Sequence, residues 1–367
     1  MLSPALEPAR VRRSLLAWYD RQGRSLPWRE RWARDRDPYT VWVSEIMLQQ
    51  TVIKAVLSAY ERFLIRFPDI ASLAAADEDS VRQACKGLGY YRRFRFLHSA
   101  ARQLVAGGSI WPRNFEEWRA LPGIGIYTAG AIASIALDEA VSAVDGNVER
   151  VFCRLLDMRL APDAKELKAR FRALATSLVA PDRPGDFNQA LMELGQTVCR
   201  KEDPHCGECP LSDLCLSRAR GSQSLAPQPK AKNVTAVPTR LRVAIPIHPD
   251  GRIGLVQRGE GARFLRDTWG FPMLLKIADA AERPNCASEP NLIRRGQSLA
   301  GTFRHSITKH RIDGEVYVVV GVTENLKWVG AAAIETILTS SLDQKAWRNR
   351  GGSAPTPPAG DESSAPR

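Results

Sequence analysis

Leu121-Pro122-Gly123-Ile124-Gly125-Ile126-Tyr127-Thr128 stands between a helical stretch at Phe115 to Ala120 and a run of small residues from Tyr127 to Leu137. Two glycines flanking one apolar residue let a chain turn sharply between helices and bring its backbone close to a neighbour. Amides opening the second helix carry positive potential, so Gly123 and Gly125 could present them to a phosphate. An ordinary helix-helix corner with glycine in its turn carries the same pattern, and these eight residues do not separate the two readings. Downstream, Ala129, Gly130, Ala131, Ala133, Ser134 and Ala136 predict a helix packed closely on its neighbours.

The helical pattern extends on both sides. Apolar periodicity predicts helices over 11–19, 41–67, 81–85, 91–105, 127–137, 148–156, 164–178 and 187–199, with nothing alternating as a strand before residue 220. Residues 221–238 lose that periodicity, carry three prolines, and read as a flexible linker. Beyond it, the β-branched runs 240–247, 253–257 and 316–322 predict a small sheet domain. Residues 351–367 are Gly, Pro, Ser and Ala with scattered charge, which cannot bury a core. The expected division is a helical region 1–220, a linker 221–238, a second domain 239–345 and a disordered tail 346–367. A chain of 367 residues fits two domains better than one core. Lys and Arg number 52 against 40 Asp and Glu, a net of +12 that attracts a polyanion, with nucleic acid the leading candidate and a merely basic protein the alternative. No apolar run reaches membrane-span length, and no secretory pattern opens the chain, so a cytoplasmic protein without membrane contact is expected.

Cys199, Cys206, Cys209 and Cys215 follow the spacing C-x6-C-x2-C-x5-C. Four thiolates from so short a segment can converge on one soft metal centre at little loop-closure cost. An odd total of seven cysteines argues against a disulfide framework. Zinc knuckles usually pair two short C-x2-4-C arms, whereas a [4Fe-4S] cluster has wider sulfur spacing and tolerates the flanking gaps of six and five; spacing favours iron-sulfur without excluding zinc. Cys85, Cys153 and Cys286 fall outside the motif and read as buried free thiols.

Two carboxylates invite chemistry. Asp145, in Ala143-Val144-Asp145-Gly146-Asn147-Val148, reads either as a plain N-cap or as an anion fixed at a helix N-terminus, suited to an oxocarbenium-like transition state. That chemistry also needs a proton donor. Glu45 lies within Val41-Trp42-Val43-Ser44-Glu45-Ile46-Met47-Leu48-Gln49-Gln50-Thr51, where apolar company predicts poor hydration and a pKa raised toward neutrality. A glutamate on a solvent-facing stripe is the plain alternative.

Hairpin, downstream aspartate and four-cysteine segment, in this order, resemble the helix-hairpin-helix DNA glycosylase superfamily with an iron-sulfur loop, over roughly residues 10–220. Leu26-Pro27-Trp28-Arg29, Ser44 to Thr51, Gly87-Leu88-Gly89-Tyr90-Tyr91 and Val144 to Val148 look like its adenine-excising branch. The resemblance implies a mainly α, two-lobed N-terminal fold and a base-excision-repair hydrolase. Adenine mispaired with 8-oxoguanine or guanine would be flipped from double-stranded DNA and its N-glycosidic bond cleaved. Glu45 would be the general acid and Asp145 the carboxylate stabilising the sugar cation, supported by Tyr127 and Asn147. Trp28, Arg29 and Gln189 match residues around the flipped base, Gln50, Thr51, Leu88 and Tyr90 match those that contact the oxidised guanine or wedge beside it, and Gln49 is a further base- or DNA-binding candidate. The four cysteines would hold a [4Fe-4S] cluster shaping a loop whose Arg200, Lys201, Arg218 and Arg220 face DNA phosphates.

In the related endonuclease III group a lysine stands at the Tyr127 position and forms a Schiff base leading to strand cleavage; a phenol cannot. The sequence therefore favours a monofunctional hydrolase over a bifunctional glycosylase/lyase on oxidised pyrimidines. Having both Glu45 and Asp145 speaks against a non-catalytic DNA-binding protein. Leu265-Arg266-Asp267-Thr268-Trp269-Gly270-Phe271-Pro272 looks like the opening of a Nudix-like α+β domain, without the Glu-rich box that pyrophosphohydrolase activity needs. Where the branch commonly reads Phe-Ser-His, this chain reads Phe303-Arg304-His305-Ser306. Either Arg304 contacts the lesion or its phosphate, or Ser306 substitutes through a shifted loop. A monomer associated with the nucleoid is expected.

Overall fold

The computed structural model describes residues 6–159, 165–228, 235–286, 291–293, 297–321 and 325–351. Most of the expected tail lies outside them. The chain folds as two compact units, Met1–Ala231 and Lys232–Arg367.

The first unit is helical: α1 (Pro8–Gln22), α2 (Pro27–Asp35), α3 (Pro38–Leu48), α4 (Ile53–Arg66), α5 (Ile70–Ala75), α6 (Glu78–Ala84), α7 (Arg92–Ala106), α8 (Phe115–Arg119), α9 (Ile126–Ala136), α10 (Gly146–Leu155), α11 (Lys165–Leu178), α12 (Pro184–Thr197) and α13 (Leu216–Ala219). Local chemistry sets many of these starts. Proline opens α1, α2, α3 and α12, where its missing N–H costs nothing. Asp69, Asp77 and Asn114 cap α5, α6 and α8 by accepting from the amide three residues on. Two cores form within this unit. Trp42, Phe63, Phe94, Trp118 and Ile132 join α3, α4, α7, α8 and α9, while Leu15, Phe152, Phe171, Phe187 and Leu194 join α1 to α10, α11 and α12. The first helix thus completes the lobe built from the later ones.

The helix expected over 41–67 is two helices, with Gln50 between them in the left-handed region at φ 53°. Arg93, 7% exposed, explains the break: its guanidinium donates to the carbonyls of Ile46 at 3.0 Å, Met47 at 2.9 Å and Gln49, acceptors that a continuous helix would have used itself. Helices α2, α5 and α13 are additions to the expected set. The linker expected over 221–238 is not free at its start. Ser222 and Ala226 are buried, and Arg154 donates to the carbonyls of Gln223 and Ala226 at 3.1 Å each.

The second unit carries a mixed sheet of β1 (Val237–Ile247), β2 (Ile253–Gln257), β3 (Trp269–Gly270), β4 (Met273–Ile277), β5 (Arg283–Pro284), β6 (Gly301–Ile307), β7 (His310–Val320) and β8 (Lys327–Val329), followed by α14 (Ile334–Ile337) and α15 (Ser341–Arg348). Strand β1 is central, parallel to β7 from Val237↔His310 to Ile247↔Val320 and antiparallel to β4 from Thr239↔Ile277 to Val243↔Met273. Leu342, Ala346 and Trp347 of α15 share a core with Leu241, Val243, Phe271 and Val316. The domain end expected at 345 therefore falls inside a core helix, and the linker's expected end at 238 falls inside β1. Arg258 and Asp343, both fully buried, pair through two bonds of 2.7 and 2.9 Å, tying the end of β2 to α15.

Candidate active site

A cavity of about 570 Å³ in the helical unit is lined by Trp28, Glu45, Tyr127, Asp145, Asn147 and Gln189 among others. Helix α3 is buried from Tyr39 through Met47, and Glu45 within it is 5% exposed. Burial raises the Glu45 pKa to about 7; the nearby Asp145 charge also raises it, while a Tyr127 hydrogen bond and the Arg29 charge lower it. Its acid and its base are therefore both populated near neutral pH, which suits a general acid. Tyr127 Oη lies 3.2 Å from Glu45 Oε2, to which it donates, and 3.0 Å from Met192 Sδ. Burial, then the charges of Glu45 and Asp145, push the Tyr127 pKa well above the usual phenol value, so it stays protonated.

Asp145 caps α10. Its Oδ1 accepts from the amides of Asn147 at 2.9 Å and Val148 at 2.8 Å, and its Oδ2 accepts from Asn147 Nδ2 at 2.7 Å. Three donors at a helix N-terminus fix the Asp145 carboxyl in place. Arg150 holds Asn147 in turn, donating to its Oδ1 at 3.0 Å and to the carbonyls of Gly195 at 2.7 Å and Cys199 at 2.9 Å. Glycine is required at 195, because a Cβ there would lie 2.7 Å from that of Asn147. One arginine thus joins the cysteine segment to the aspartate.

On the facing wall, Arg29 donates to Gln189 Oε1 at 2.8 Å and to Glu193 Oε2 at 2.6 Å, and Glu193 also accepts the Arg24 amide at 2.7 Å. Trp28, 6% exposed, packs edge-on against Tyr60 with ring centroids 5.6 Å apart. Arg24, Met192 and Glu193 line the cavity but are absent from the residues expected from sequence. Glu193 carried a usable signal: one turn after Gln189, it is a charge inside the apolar run Leu191-Met192-Glu193-Leu194, the same signature as Glu45.

At the cavity mouth, Arg93 Nη2 donates to Thr51 Oγ1 at 2.7 Å and to the Leu88 carbonyl at 3.2 Å, while Gln49 Nε2 donates to Thr128 Oγ1 at 3.1 Å. Gly87, Gly89 and Tyr90 all have positive φ, at 90°, 66° and 47°. This turn leaves Tyr90 59% exposed but folds Leu88 into the core at 6% exposure. Leu88 therefore packs into the core and anchors the turn. Gln50 is exposed beside it. In the 121–128 hairpin, Gly123 has φ 76° and an added Cβ would collide with Phe96. Gly125 begins α9 with no side-chain cap, leaving the first amides of that helix without a side chain over them.

The four motif cysteines form no disulfide and are half-buried, whereas Cys85, Cys153 and Cys286 are buried. Burial pushes the Cys209 thiol up to about 12, and the charges of Cys199, Cys215 and Cys206 raise it further. Arg154 Nη1 donates to Cys199 Sγ at 3.4 Å and Gln223 Nε2 to Cys206 Sγ at 3.7 Å. N–H donors at two of the four sulfurs suit thiolate ligands. Among the described residues no three His, Cys, Asp or Glu side chains stand as a group able to hold a single metal ion. The basic side chains expected to face phosphates are mostly occupied: Arg200 pairs with Asp203 at 3.0 Å, Arg218 with Asp213 at 3.3 Å and Arg220 with Asp157 at 2.9 Å, while Lys201 is exposed.

Residues 43–176 match the family model of the HhH-GPD superfamily base excision DNA repair protein. The helical unit has that superfamily's fold. The chain is 39% identical over 320 residues to an adenine DNA glycosylase of Arabidopsis thaliana, covering 76% of this chain and 50% of that protein. It is 47% identical over 223 residues to the Homo sapiens adenine DNA glycosylase, covering 59% and 41%. A solved thermostable thymine-DNA glycosylase superposes with a TM-score of 0.53 at 26% identity, covering 58% of this chain and 97% of that one. The chain spans about half the length of the curated relatives it matches.

The second unit corrects one expectation about the C-terminal segment. Phe303-Arg304-His305-Ser306 lies in strand β6 in unbroken register with β7, Arg304 opposite Asp313 and Ser306 opposite Arg311. Strand alternation turns Arg304 and Ser306 outward together and buries Phe303 against Gly314. There is no shifted loop. Arg304 Nε is 3.7 Å from Asp313 with its side chain 94% exposed, and burial and then the Lys345 charge lower the pKa of half-buried His305.

Proposed function

We propose that this chain removes adenine from mispaired duplex DNA by hydrolysing its N-glycosidic bond. The observation that carries the reading is a single cavity lined by a buried glutamate with a pKa of about 7 and by an aspartate held by three donors. Those are the two carboxylate roles that glycoside cleavage needs, one able to give a proton and one fixed as an anion. Adenine depends on such a donor, since the base must be protonated to depart. Glu45 would give the proton, Tyr127 would orient its carboxyl, and Asp145 with Asn147 would face the developing sugar cation. Arg29, Gln189 and Trp28 would hold the extruded base, while Gln50 and Tyr90 project where the opposite strand would lie. Similarity to adenine DNA glycosylases supports the choice of base.

A monofunctional outcome is favoured because no lysine is among the described residues lining the cavity, and a phenol cannot form the imine of a lyase. The partner base proposed is 8-oxoguanine, with guanine a weaker alternative, and outward Arg304 and Ser306 are the residues offered for sensing it. Cys199, Cys206, Cys209 and Cys215 would hold a [4Fe-4S] cluster, which would brace the Arg150 link to Asn147. Incubating the protein with a duplex holding adenine opposite 8-oxoguanine tests the reading. Release of free adenine, strand breakage only after alkali, and no borohydride-trapped adduct are expected. No base release would refute the proposal, and an efficient trapped adduct would refute the monofunctional part. Iron and sulfide near four per chain check the cluster.

A further inference from the structure

A second cleft, of about 790 Å³, lies in the C-terminal unit. Arg263, Arg266 and Arg283 line it, over Phe264, Asn285 and His310, which are 6%, 3% and 5% exposed. No Asp or Glu is among its lining residues, and none of the three arginines makes an ion pair among the described residues. Guanidinium groups gathered without a carboxylate repel one another, and an arriving anion relieves that repulsion.

None of the residues lining the cleft lines the cavity that holds Glu45 and Asp145. Arg263 and Arg266 sit on the segment between β2 and β3, which is fastened at both ends. At one end the Asp267 amide donates to the Arg258 carbonyl at 2.7 Å, the Arg258 amide to the Thr268 carbonyl at 3.0 Å, and buried Arg258 Nη1 to Thr268 Oγ1 at 3.1 Å. The Arg258–Asp343 pair thus anchors the segment from behind. At the other end Asn285 accepts the Phe264 amide at 2.8 Å, donates to the Phe264 carbonyl at 3.2 Å, and gives its own carbonyl to the Arg263 amide at 3.0 Å. Within the segment Leu265 and Asp267 have φ of 56° and 59°, and across the cleft Thr308 has φ 49°. Side-chain-bearing residues avoid that region and persist in it where surrounding structure over-determines them, a condition that recurs at ligand sites. His310 is fixed by Thr239 at 2.9 Å and by an edge contact with Phe264. Burial lowers its pKa, and the charges of Arg263 and Lys309 lower it further, so the positive potential of Arg263 reaches the cleft floor.

We infer that this cleft binds a phosphate group, either a backbone phosphodiester of nucleic acid or the phosphate of a free nucleotide. Arginine forks match the paired oxygens of phosphate, and three guanidinium groups around one cleft without a lining carboxylate suit such a group without sequence reading. The inference stands apart from adenine excision: a full-length protein that releases no adenine but binds phosphate through this cleft would keep the inference and lose that reading.

The test compares the wild-type chain with Arg263→Gln/Arg266→Gln/Arg283→Gln and with a charge-matched control, Arg252→Gln/Lys327→Gln/Arg348→Gln, on the same unit. Affinity for an undamaged, fluorescein-labelled duplex is read by anisotropy across a KCl series. Isothermal titration with deoxyadenosine monophosphate and with sodium phosphate supplies the second arm. A backbone site predicts that the salt slope of the cleft variant falls by about 0.9 for each phosphate no longer neutralised, beyond any fall in the control. A free-phosphate site predicts wild-type heat with one of the small probes, abolished in the cleft variant alone, with duplex binding equal in the two variants. Equal behaviour of cleft and control variants in both arms overturns the inference. Should the triple variant melt lower than the control, Arg283→Gln alone is carried through the same measurements, and equality with wild type there overturns it as well.

Discussion

Replacing Tyr127 by Phe removes one hydrogen bond from Glu45 and leaves the ring in place. That bond, at 3.2 Å, favours the glutamate anion inside a site where the carboxylate is 5% exposed. A hydrogen bond to a charged acceptor contributes about 1.5–3 kcal/mol, and about 1.4 kcal/mol corresponds to one pKa unit. Its loss therefore raises the Glu45 pKa from about 7 by roughly one to two units, with the lower figure preferred because the bond is long. Adenine release should be followed under single-turnover conditions, enzyme in excess, across a pH series. Only protonated Glu45 can donate, so the wild-type rate falls as pH rises through about 7. In Tyr127→Phe the falling limb moves to higher pH, and Glu45→Gln loses the limb together with roughly 100- to 10,000-fold in rate. A limb that stays put or moves down in Tyr127→Phe would refute the assignment of Tyr127 as a donor to the catalytic acid. Retention of rate in Glu45→Gln would refute the assignment of the acid itself.

The same buried carboxylate carries a stability consequence. Its folded pKa, about 7, lies above the ordinary 4.5, so its proton stabilises the fold below pH 4.5 and that contribution is lost as pH rises through 7. Glu45→Gln should consequently melt higher than wild type at pH 8, by an amount on the order of 3 kcal/mol, and show no advantage at pH 4, read by thermal denaturation. Arg93→Ala strips the carbonyls of Ile46, Met47, Gln49 and Leu88 of their shared donor and should cost on the order of 3 kcal/mol in a denaturant titration; a variant as stable as wild type would show those carbonyls to be solvated instead. Asp343→Ala leaves the buried Arg258 charge without its carboxylate and should destabilise the second unit by about 3–5 kcal/mol, whereas Arg258→Met/Asp343→Leu should recover most of it, because removing both charges also removes their desolvation cost.

Sequence carried the chemistry of this chain further than its geometry. Glu45 and Asp145 were legible because each breaks a local rule: one is a charge in an apolar helix, the other a turn residue followed at once by a helix. Glu193 obeys the same logic as Glu45 yet gives no sign of its partners, since Arg24 and Arg29 lie more than 160 residues away in the chain. The division of 41–67 was hidden for a related reason. Nothing between Leu48 and Ile53 is a Gly or Pro breaker, and the helix stops because a distant Arg93 takes its carbonyls. Leu88 and Phe303 show the converse limit, for a short motif fixes residue type without fixing which side chain turns inward, and that is decided by positive φ at one and strand alternation at the other.

The buried charges in the two units follow one rule with different results. Arg258 and Asp343 satisfy each other through two bonds, so burial leaves a neutral and inert pair whose use is to hold a segment in place. Glu45 is buried with one phenol donor and with Asp145 as a neighbour of like charge, so its burial is not offset and appears as a raised pKa. Full pairing yields rigidity, and deficient pairing yields an acid. Glu193, 1% exposed, lies on the structural side of that line because Arg24 and Arg29 both reach it, although it shares the cavity with Glu45. Of the two buried glutamates that line the cavity, the one to mutate for chemistry is therefore the one with fewer partners.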